Sequence, residues 1–339
     1  MKISHHLCTV AFVCASAISA LAQPDKPVVV TASNTTSNDL LVYDVSGRML
    51  ATVPTGGAGG VNGNAGGIAS KSGRVAVINF GSMNVSVFQR SDAGFHLEQL
   101  IPSASSPVSV AFGHRHLYIL GATSVESHEI FEFGVSLGSD GTATLLKADG
   151  SAAQVGVLEN QLIVTEKSNA IETIPLSSDG AVAGVPSLVN NVPNNVNTPL
   201  GLIARDDEAY VTIAHANEIS LVRNDAVIAT TGSGTQMAPC WLALDGPWLY
   251  SSNSPSQSVS RYLVYGAEIT QKDAVAASFN GAPTDIAYHS GYLAVIDGIG
   301  GTSHLSVFHV GPDGNLVRKG FSTVAAPING VAVLGDRYE

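Results

Sequence analysis

The feature that most limits how this chain can fold is a strand pattern that recurs seven times. Each copy opens an apolar, β-branched run, in most copies directly after a proline, and successive copies start 40 to 47 residues apart. A repeat of this length, with turn residues between short strands, is typical of β-propellers. The sequence therefore predicts an all-β, seven-bladed β-propeller. The seven starting residues are Gly67, Pro107, Gln154, Pro199, Pro239, Pro283 and Pro327.

Further strand-like runs follow each start at regular distances, which predicts blades of four antiparallel strands. A β-sandwich with a second domain is the alternative, but it would make the regular spacing accidental. The runs expected to form third strands are 84–88, 129–133, 170–174, 218–222, 258–262 and 304–308.

The two ends of the chain are predicted to share one blade. Residues 28–54 hold three strand-like runs, so one strand of a four-stranded unit is missing there, and residues 330–334 can supply it. Pairing the C-terminal strand with the N-terminal blade closes the ring and removes its open edges. We therefore expect residues 23–339 to form one domain, and we expect a monomer because a closed ring exposes no edge strand.

Residues 1–22 have the pattern of a signal peptide. An apolar run from Leu7 to Leu21 precedes a small-x-small site, Ala20-Leu21-Ala22. The run is short for a membrane span, and no later segment of about 18 apolar residues follows. These features predict a secreted or periplasmic protein with no membrane partner. The mature chain would keep one cysteine, Cys240, which we interpret as a small buried residue because no histidine adjoins it.

Composition and net charge bear on which classes of binding partner the sequence favours. The chain is 45% hydrophobic and carries a formal net charge of −11, which argues against nucleic acid or anionic membranes as partners. A glycine-rich run, residues 56–67, is followed by the β-like run 74–78 and not by the helix that a phosphate-binding loop needs. We interpret it as a mobile inter-blade loop whose small residues could leave one side of a pocket open.

Several segments resemble the seven-bladed propeller lactonase family over essentially the whole mature chain. This family includes propeller-type 6-phosphogluconolactonase and carboxymuconate lactonizing enzyme, and the exported branch is the most similar. The resemblance implies a lactone hydrolase or cycloisomerase that uses no organic cofactor. The segments that carry it are 79–88, 106–110, 164–167, 198–201, 238–241 and 282–285.

Two departures from that family bear on activity. Its characterised members open one blade with a His-Pro-His type motif, whereas residues 151–155 here are Ser-Ala-Ala-Gln-Val. They also end a second strand with an Asn-Glu pair, whereas this chain has Ile213-Ala214-His215. The catalytic residues of the family therefore do not transfer to this chain. The alternative function is a non-catalytic propeller that binds a small ligand or a protein through the same mouth.

Candidate site residues follow from propeller geometry, in which the starts of first strands and the ends of second strands meet at one face. Glu166, His215 and Asp285 are the predicted catalytic residues, with Glu166 and His215 as an acid/base pair from neighbouring blades. The residues predicted to bind substrate are Asn79, Gln154, Lys167, Trp241, Asn253, Asp297 and Asn329.

Structural roles compete with these functional ones. Glu166 could form an ion pair with Lys167 or cap a turn, and Trp241 could pack in the core and not floor a pocket. Asp285 and Asp297 belong to one blade and could share a proton or a metal, although an aspartate before glycine, as at Asp297, is first of all a turn former. We expect neither a cofactor nor a required metal, because the spacing shows no set of three converging ligands.

Overall fold

The computed structural model describes residues 26–193 and 198–336, so the predicted signal peptide lies outside the described residues. The described residues form seven antiparallel sheets arranged as a ring, which confirms the seven-bladed β-propeller. They contain no α-helix, and only two single-turn 3-10 helices, Phe80–Ser82 and Ala214–Ala216. No helix within these ranges is long and apolar enough to span a membrane.

In blades 1 to 3 the strands lie side by side from the inner to the outer edge of the ring. Only in blade 3 is the outer strand split into two short strands. Blade 1 is numbered from the N-terminal strands, and the other blades follow along the chain. Its strands and those of blades 2 and 3 are β1 (Val28–Ala32), β2 (Asp39–Asp44), β3 (Met49–Pro54), β4 (Ile68–Lys71), β5 (Arg74–Asn79), β6 (Asn84–Ser91), β7 (Gly94–Pro102), β8 (Pro107–Phe112), β9 (His116–Gly121), β10 (Ser124–Phe131), β11 (Gly134–Val135) and β12 (Gly141–Thr144).

Blades 4 to 7 each have four consecutive strands, and the last strand of the chain returns to blade 1. The strands are β13 (Ala152–Val157), β14 (Gln161–Glu166), β15 (Ala170–Pro175), β16 (Ser187–Leu188), β17 (Pro199–Arg205), β18 (Glu208–Ile213), β19 (Glu218–Arg223), β20 (Ala226–Gly232), β21 (Pro239–Asp245), β22 (Trp248–Asn253), β23 (Ser258–Tyr265), β24 (Glu268–Ser278), β25 (Ala282–His289), β26 (Tyr292–Ile299), β27 (Thr302–Val310), β28 (Leu316–Val324) and β29 (Asn329–Leu334).

Ring closure follows the prediction. β29 is the inner strand of blade 1 and pairs antiparallel with β1, with Val30 opposite Ala332. The Thr31 hydroxyl donates a hydrogen bond of 2.7 Å to the Gly330 carbonyl across this pair. The Arg90 guanidinium, on blade 2, donates to the carbonyls of both Lys26 and Gly335. One side chain therefore holds the beginning and the end of the described propeller together.

Large side chains of the second strands fill the spaces between blades. Tyr118 in blade 3 and Tyr250 in blade 6 are almost fully buried. Their hydroxyls donate 2.7 Å hydrogen bonds to Gly180 and Gly314, which lie in the next blade along the chain. A buried tyrosine thus contributes an apolar ring to the core and satisfies its polar end in the neighbouring blade.

The third strand of blade 3 differs from the prediction. The sequence places it at 129–133, but β10 begins at Ser124 and ends at Phe131. Phe133 is 88% exposed at the tip of the turn between β10 and β11. The apolar residues near 131–133 resemble the interior of a strand, but the chain reverses direction there. The outer strand of blade 3 is split into β11 and β12, which both pair with β10.

We expect the closing strand to decide whether the propeller folds. Val333 on β29 is 3% exposed, so Val333→Asp buries a charge between blades 1 and 7 and should abolish a cooperative thermal transition. The matched control is Val317→Asp on the outer strand β28, where the side chain is 55% exposed and the melting temperature should shift little. Equal melting curves for both variants would contradict a ring that depends on β29.

Candidate functional site

The glycine-rich loop, residues 56–67, lies across the face where the first strands begin. Its Asn64 side chain binds the Val108 carbonyl and the side chain of Asn329. The Ala65 amide donates 3.3 Å to the Ala153 carbonyl, and the Lys167 ammonium donates 2.9 Å to the Gly63 carbonyl. The loop is thus held by blades 1, 3 and 4 and closes the mouth. The expectation that it leaves one side of a pocket open is corrected.

Close approach explains why glycine recurs in this loop. A Cβ on Gly59 would lie 2.5 Å from the Asn34 carbonyl carbon. Gly66 has φ +61°, and its Cβ would lie 3.0 Å from the Ser109 hydroxyl oxygen. The side-chain amide oxygen of Asn34 accepts hydrogen bonds from the backbone amides of Gly60 (2.7 Å) and Val61 (3.1 Å). It thus takes the place that a neighbouring strand would have for these two amides. A β-carbon at Gly59 would collide with the Asn34 backbone, and one at Gly66 would be strained by the positive φ.

A central cavity of about 580 Å³ lies beneath the loop. It runs from Gly66 and Asp285 to the opposite face, where the first strands end beside His289 and Asp336. Next to the closed end, the inner strands contribute a layer of larger aliphatic residues, named here the aliphatic layer: Ile68, Val110, Val155, Leu202, Leu242, Ile286 and Val331. The following positions form the small-residue layer: Ala69, Ala111, Gly156, Ile203, Ala243, Ala287 and Ala332.

Asp285 is a buried carboxyl group at the closed end of this cavity. Only 4% of the residue is exposed. One carboxyl oxygen accepts the Ile286 amide at 2.8 Å, and the amides of Val331 and Gly66 also donate to the side chain. Burial raises the pKa of Asp285 to about 7, although the three amide hydrogen bonds oppose that rise. The Oδ2 atom has no hydrogen-bond partner among the described residues.

Gln154 places an amide group at the same end of the cavity. Its Oε1 accepts the Leu202 amide at 2.7 Å, which fixes the side chain. Its Nε2 would be 3.3 Å from a Cβ on Gly66, the residue whose amide binds Asp285. A carboxyl group and an amide group therefore both lie close to Gly66. Of the ten predicted site residues, Gln154 and Asp285 line the cavity.

The ends of the second strands have a different role from the one predicted. Asn79 and Asn253 are fully buried between blades and do not line the central cavity. The Asn79 amide donates to Asn84 (2.8 Å) and Ser86 (2.6 Å), and the Asn253 amide donates to Ser258 and Ser260 in the same register. Both side chains therefore bind the third strand of their own blade. Gln154 and Asp285, near the starts of first strands, line the central cavity instead.

Glu166 occupies the equivalent position in blade 4 and pairs with Glu172, which the sequence reasoning missed. Both side chains are completely buried. Glu166 accepts the Lys147 amide and Glu172 accepts the Leu146 amide, each at 3.1 Å. Burial is the largest cause of the raised pKa of both carboxyl groups, and a hydrogen bond from Glu172 adds to that of Glu166. The raised pKa of both groups predicts that the pair holds a proton beneath the linker between blades 3 and 4.

The predicted acid/base pair is not brought together. His215 is exposed on the second 3-10 helix, and its Nδ1 lies 2.9 Å from the Thr198 hydroxyl. No hydrogen bond or ion pair joins His215 to Glu166 in the part of the chain described. Glu166 also forms no ion pair there with Lys167. The catalytic roles of Glu166 and His215 stay predictions, and neither residue lines the cavity.

The remaining candidates have structural contacts. Asp297 accepts His304 Nδ1 at 2.9 Å in a small cavity of blade 7, away from Asp285. Trp241 is 5% exposed and packs in an apolar cluster with Ala65 and Cys240. Burial raises the pKa of the Cys240 thiol, as expected for a small buried residue. Within residues 26–193 and 198–336, no three His, Cys, Asp or Glu side chains cluster as metal ligands.

Solved structures with the same architecture are numerous. A protein from Bacteroides fragilis, provisionally named a 6-phosphogluconolactonase, matches with a TM-score of 0.67 and 14% identity over 92% of this chain and 98% of its own. A similarly named protein from Bacteroides uniformis gives 0.63 and 15% over 89% of this chain and 100% of its own. A protein of unknown function from Desulfotomaculum acetoxidans gives 0.67 and 11% over 89% and 100%.

At these identities the similarity establishes the propeller fold. No protein-family model and no curated protein sequence matches the chain.

The buried Glu166–Glu172 pair predicts a pH dependence of stability. Because burial raises the pKa of Glu166, its stabilising, protonated state is fully present at acidic pH and is lost as the pH rises beyond the ordinary carboxyl range. Glu166→Gln keeps an acceptor for the Lys147 amide and needs no proton. Its unfolding free energy relative to wild type should therefore be higher at pH 9 than at pH 5, measured by urea denaturation.

The control for this comparison is Glu268→Gln, at an exposed position on β24. Its difference from wild type should be the same at both pH values. A pH-independent difference for Glu166→Gln as well would show that the pair carries no extra proton.

Proposed function

We propose that the protein is a lactonase-like propeller that hydrolyses a ring ester in the central cavity, with Asp285 as the acid/base group. The observation that carries this proposal is a buried carboxyl group with a pKa of about 7 and one oxygen without a described partner, at the end of a cavity of about 580 Å³. Perturbed titratable groups in concave sites are the usual mark of acid/base catalysis. The similarity to two provisionally named lactonases supports this class of reaction.

The reaction balances with one water molecule and the groups present. The Asp285 carboxylate takes a proton from water as the water oxygen bonds to the ring carbonyl carbon. Gln154 Nε2 donates a hydrogen bond to the carbonyl oxygen, where negative charge develops. The Asp285 carboxyl then returns the proton to the ring oxygen as the ring C–O bond breaks. The product is the open hydroxy acid.

Asp285→Asn tests this function directly. We expect kcat/KM on a panel of lactones to fall by about 10²- to 10⁴-fold, because the amide cannot accept the proton of water. In the wild type, kcat/KM should rise with pH through about 7, as Asp285 loses its proton. The matched control is Asp207→Asn in the exposed turn between β17 and β18, which should keep wild-type rates. Unchanged rates in Asp285→Asn would overturn the proposal.

A second candidate is a binding protein that uses the same cavity without catalysis. It is favoured because Asp285 also has a structural role. Its carboxyl group accepts three backbone amides and thereby joins the glycine-rich loop to the closing strand β29. Among the described lining residues, Asp285 is the titratable group at the closed end, whereas Lys71, His289 and Asp336 lie at the open end. Saturable ligand binding without turnover in the wild type would favour this function.

Export is part of the proposal. The N-terminal pattern supports cleavage after Ala22, so the mature protein should start at Gln23. N-terminal sequencing of protein from the periplasm or medium of the producing cells checks this. A cell-associated protein that retains Met1 would contradict it. We also propose a monomer, which sedimentation of the mature protein tests.

A further inference from the structure

We propose that blade 7 holds a second ligand site, which binds the carboxylate group of a small molecule between His304 and Arg318. The site is a cavity of about 40 Å³ lined by β26, β27 and β28 and by the segment 278–280 that leads into blade 7. It shares no lining residue with the central cavity. The inference therefore does not rest on the proposed function.

His304 is held so that one of its ring nitrogens is left for a ligand. Its Nδ1 lies 2.9 Å from a carboxyl oxygen of the buried Asp297. Its ring stacks on Phe321, with the two centroids 5.4 Å apart. The side chain is still 13% exposed, so the ring is not sealed from solvent. A carboxylate on one ring nitrogen fixes the orientation of the imidazole and stabilises its cationic form, in which Nε2 donates to an anion.

Arg318 supplies a guanidinium group that has no carboxylate partner. The group lies over the rings of Phe308 and Phe321, at 5.2 and 5.9 Å from their centroids. Its Nη2 donates a 3.3 Å hydrogen bond to the Ser278 carbonyl. Within residues 26–193 and 198–336, six other arginines form ion pairs with Asp or Glu, whereas Arg318 forms none. The rings and the carbonyl thus hold a planar fork of donors whose other N–H groups are left for an anion.

The charges of the site select a ligand with one negative charge. Asp297 contributes one negative charge, and Arg318 and protonated His304 contribute one positive charge each. The segment 278–280 is Ser-Phe-Asn and adds none. One positive charge is therefore unbalanced, and a carboxylate neutralises it while accepting charge-assisted hydrogen bonds from both cations.

The size of the cavity favours a carboxylate over a phosphate group. One water molecule needs about 10 to 15 Å³ of such space, so this cavity holds about three water-sized atoms. A carboxylate group is of this size, whereas a phosphate group is larger. The rest of the ligand would pass the exposed side chains of Asn280 and Phe321 and extend into solvent.

Acetate and its neutral isostere acetamide test the site on the whole protein. At pH 6, which is below the usual histidine pKa of about 6.5, the His304 ring can donate from both nitrogens. In an NMR titration at constant ionic strength, acetate should shift the Cε1 proton signal of His304 saturably, and acetamide should not. The signal is assigned by its absence in His304→Gln. Inorganic phosphate should bind more weakly than acetate.

Arg318→Gln should weaken acetate binding at least about tenfold, because the charge-assisted hydrogen bonds of the guanidinium are lost. Arg318→Lys keeps the charge without the planar fork and should restore part of the affinity. The matched control is Arg48→Gln, at an exposed arginine of blade 1 that pairs with Asp44, and it should bind acetate as the wild type does.

Three results would each overturn the inference: equal shifts with acetate and acetamide, tighter binding of phosphate than of acetate, or wild-type acetate affinity in Arg318→Gln. None of these measurements involves Asp285 or the central cavity. Failure of the second site would therefore leave the proposed function standing, and loss of lactone hydrolysis in Asp285→Asn would leave the second site unaffected.

Discussion

Pairing of β29 with β1 is the contact on which the rest of the molecule depends. A ring of seven sheets has no free edge only if its two ends meet, and here they meet within blade 1. Arg90 adds a second connection, because one guanidinium binds carbonyls near both ends of the described chain. Closure also sets the width of the channel, since the seven inner strands can surround a central cavity only when all seven are in place.

The glycine-rich loop changes which face of the ring can be functional. Propeller geometry directs attention to the face where first strands begin, but the loop covers that face and takes up several polar residues there. Lys167 and Asn329 bind the loop, and Asp285 accepts the amide of its Gly66. The chain therefore fills its own mouth, and the remaining cavity opens at the opposite face. Asp285 is both an anchor for the loop and the polar end of the cavity.

Repetition explains why buried polar residues are abundant without all being functional. At or near the end of the second strand, a polar residue occurs in blades 2, 4, 6 and 7: Asn79, Glu166, Asn253 and Asp297. Each is buried and bound to the third strand or to a linker. In such a fold, a candidate site residue differs in chemical type from the residues beside it on the inner strands. Asp285 does so because a carboxyl group lies beside a layer of aliphatic side chains.

The sequence by itself determined the number of blades, the closing strand and the starts of the inner strands, because strand alternation and repeat spacing are local properties. It also selected Gln154 and Asp285, which are first-strand starts. It could not show that Glu166 pairs with Glu172, or that 131–133 forms a turn, because both depend on cross-strand register.

Only the tertiary structure decided that residues 56–67 cross the mouth. Glycine adopts many backbone conformations, so the sequence of this loop does not fix its path. The same contacts, between residues far apart in the chain, decided which polar side chains hold the loop and which face the cavity.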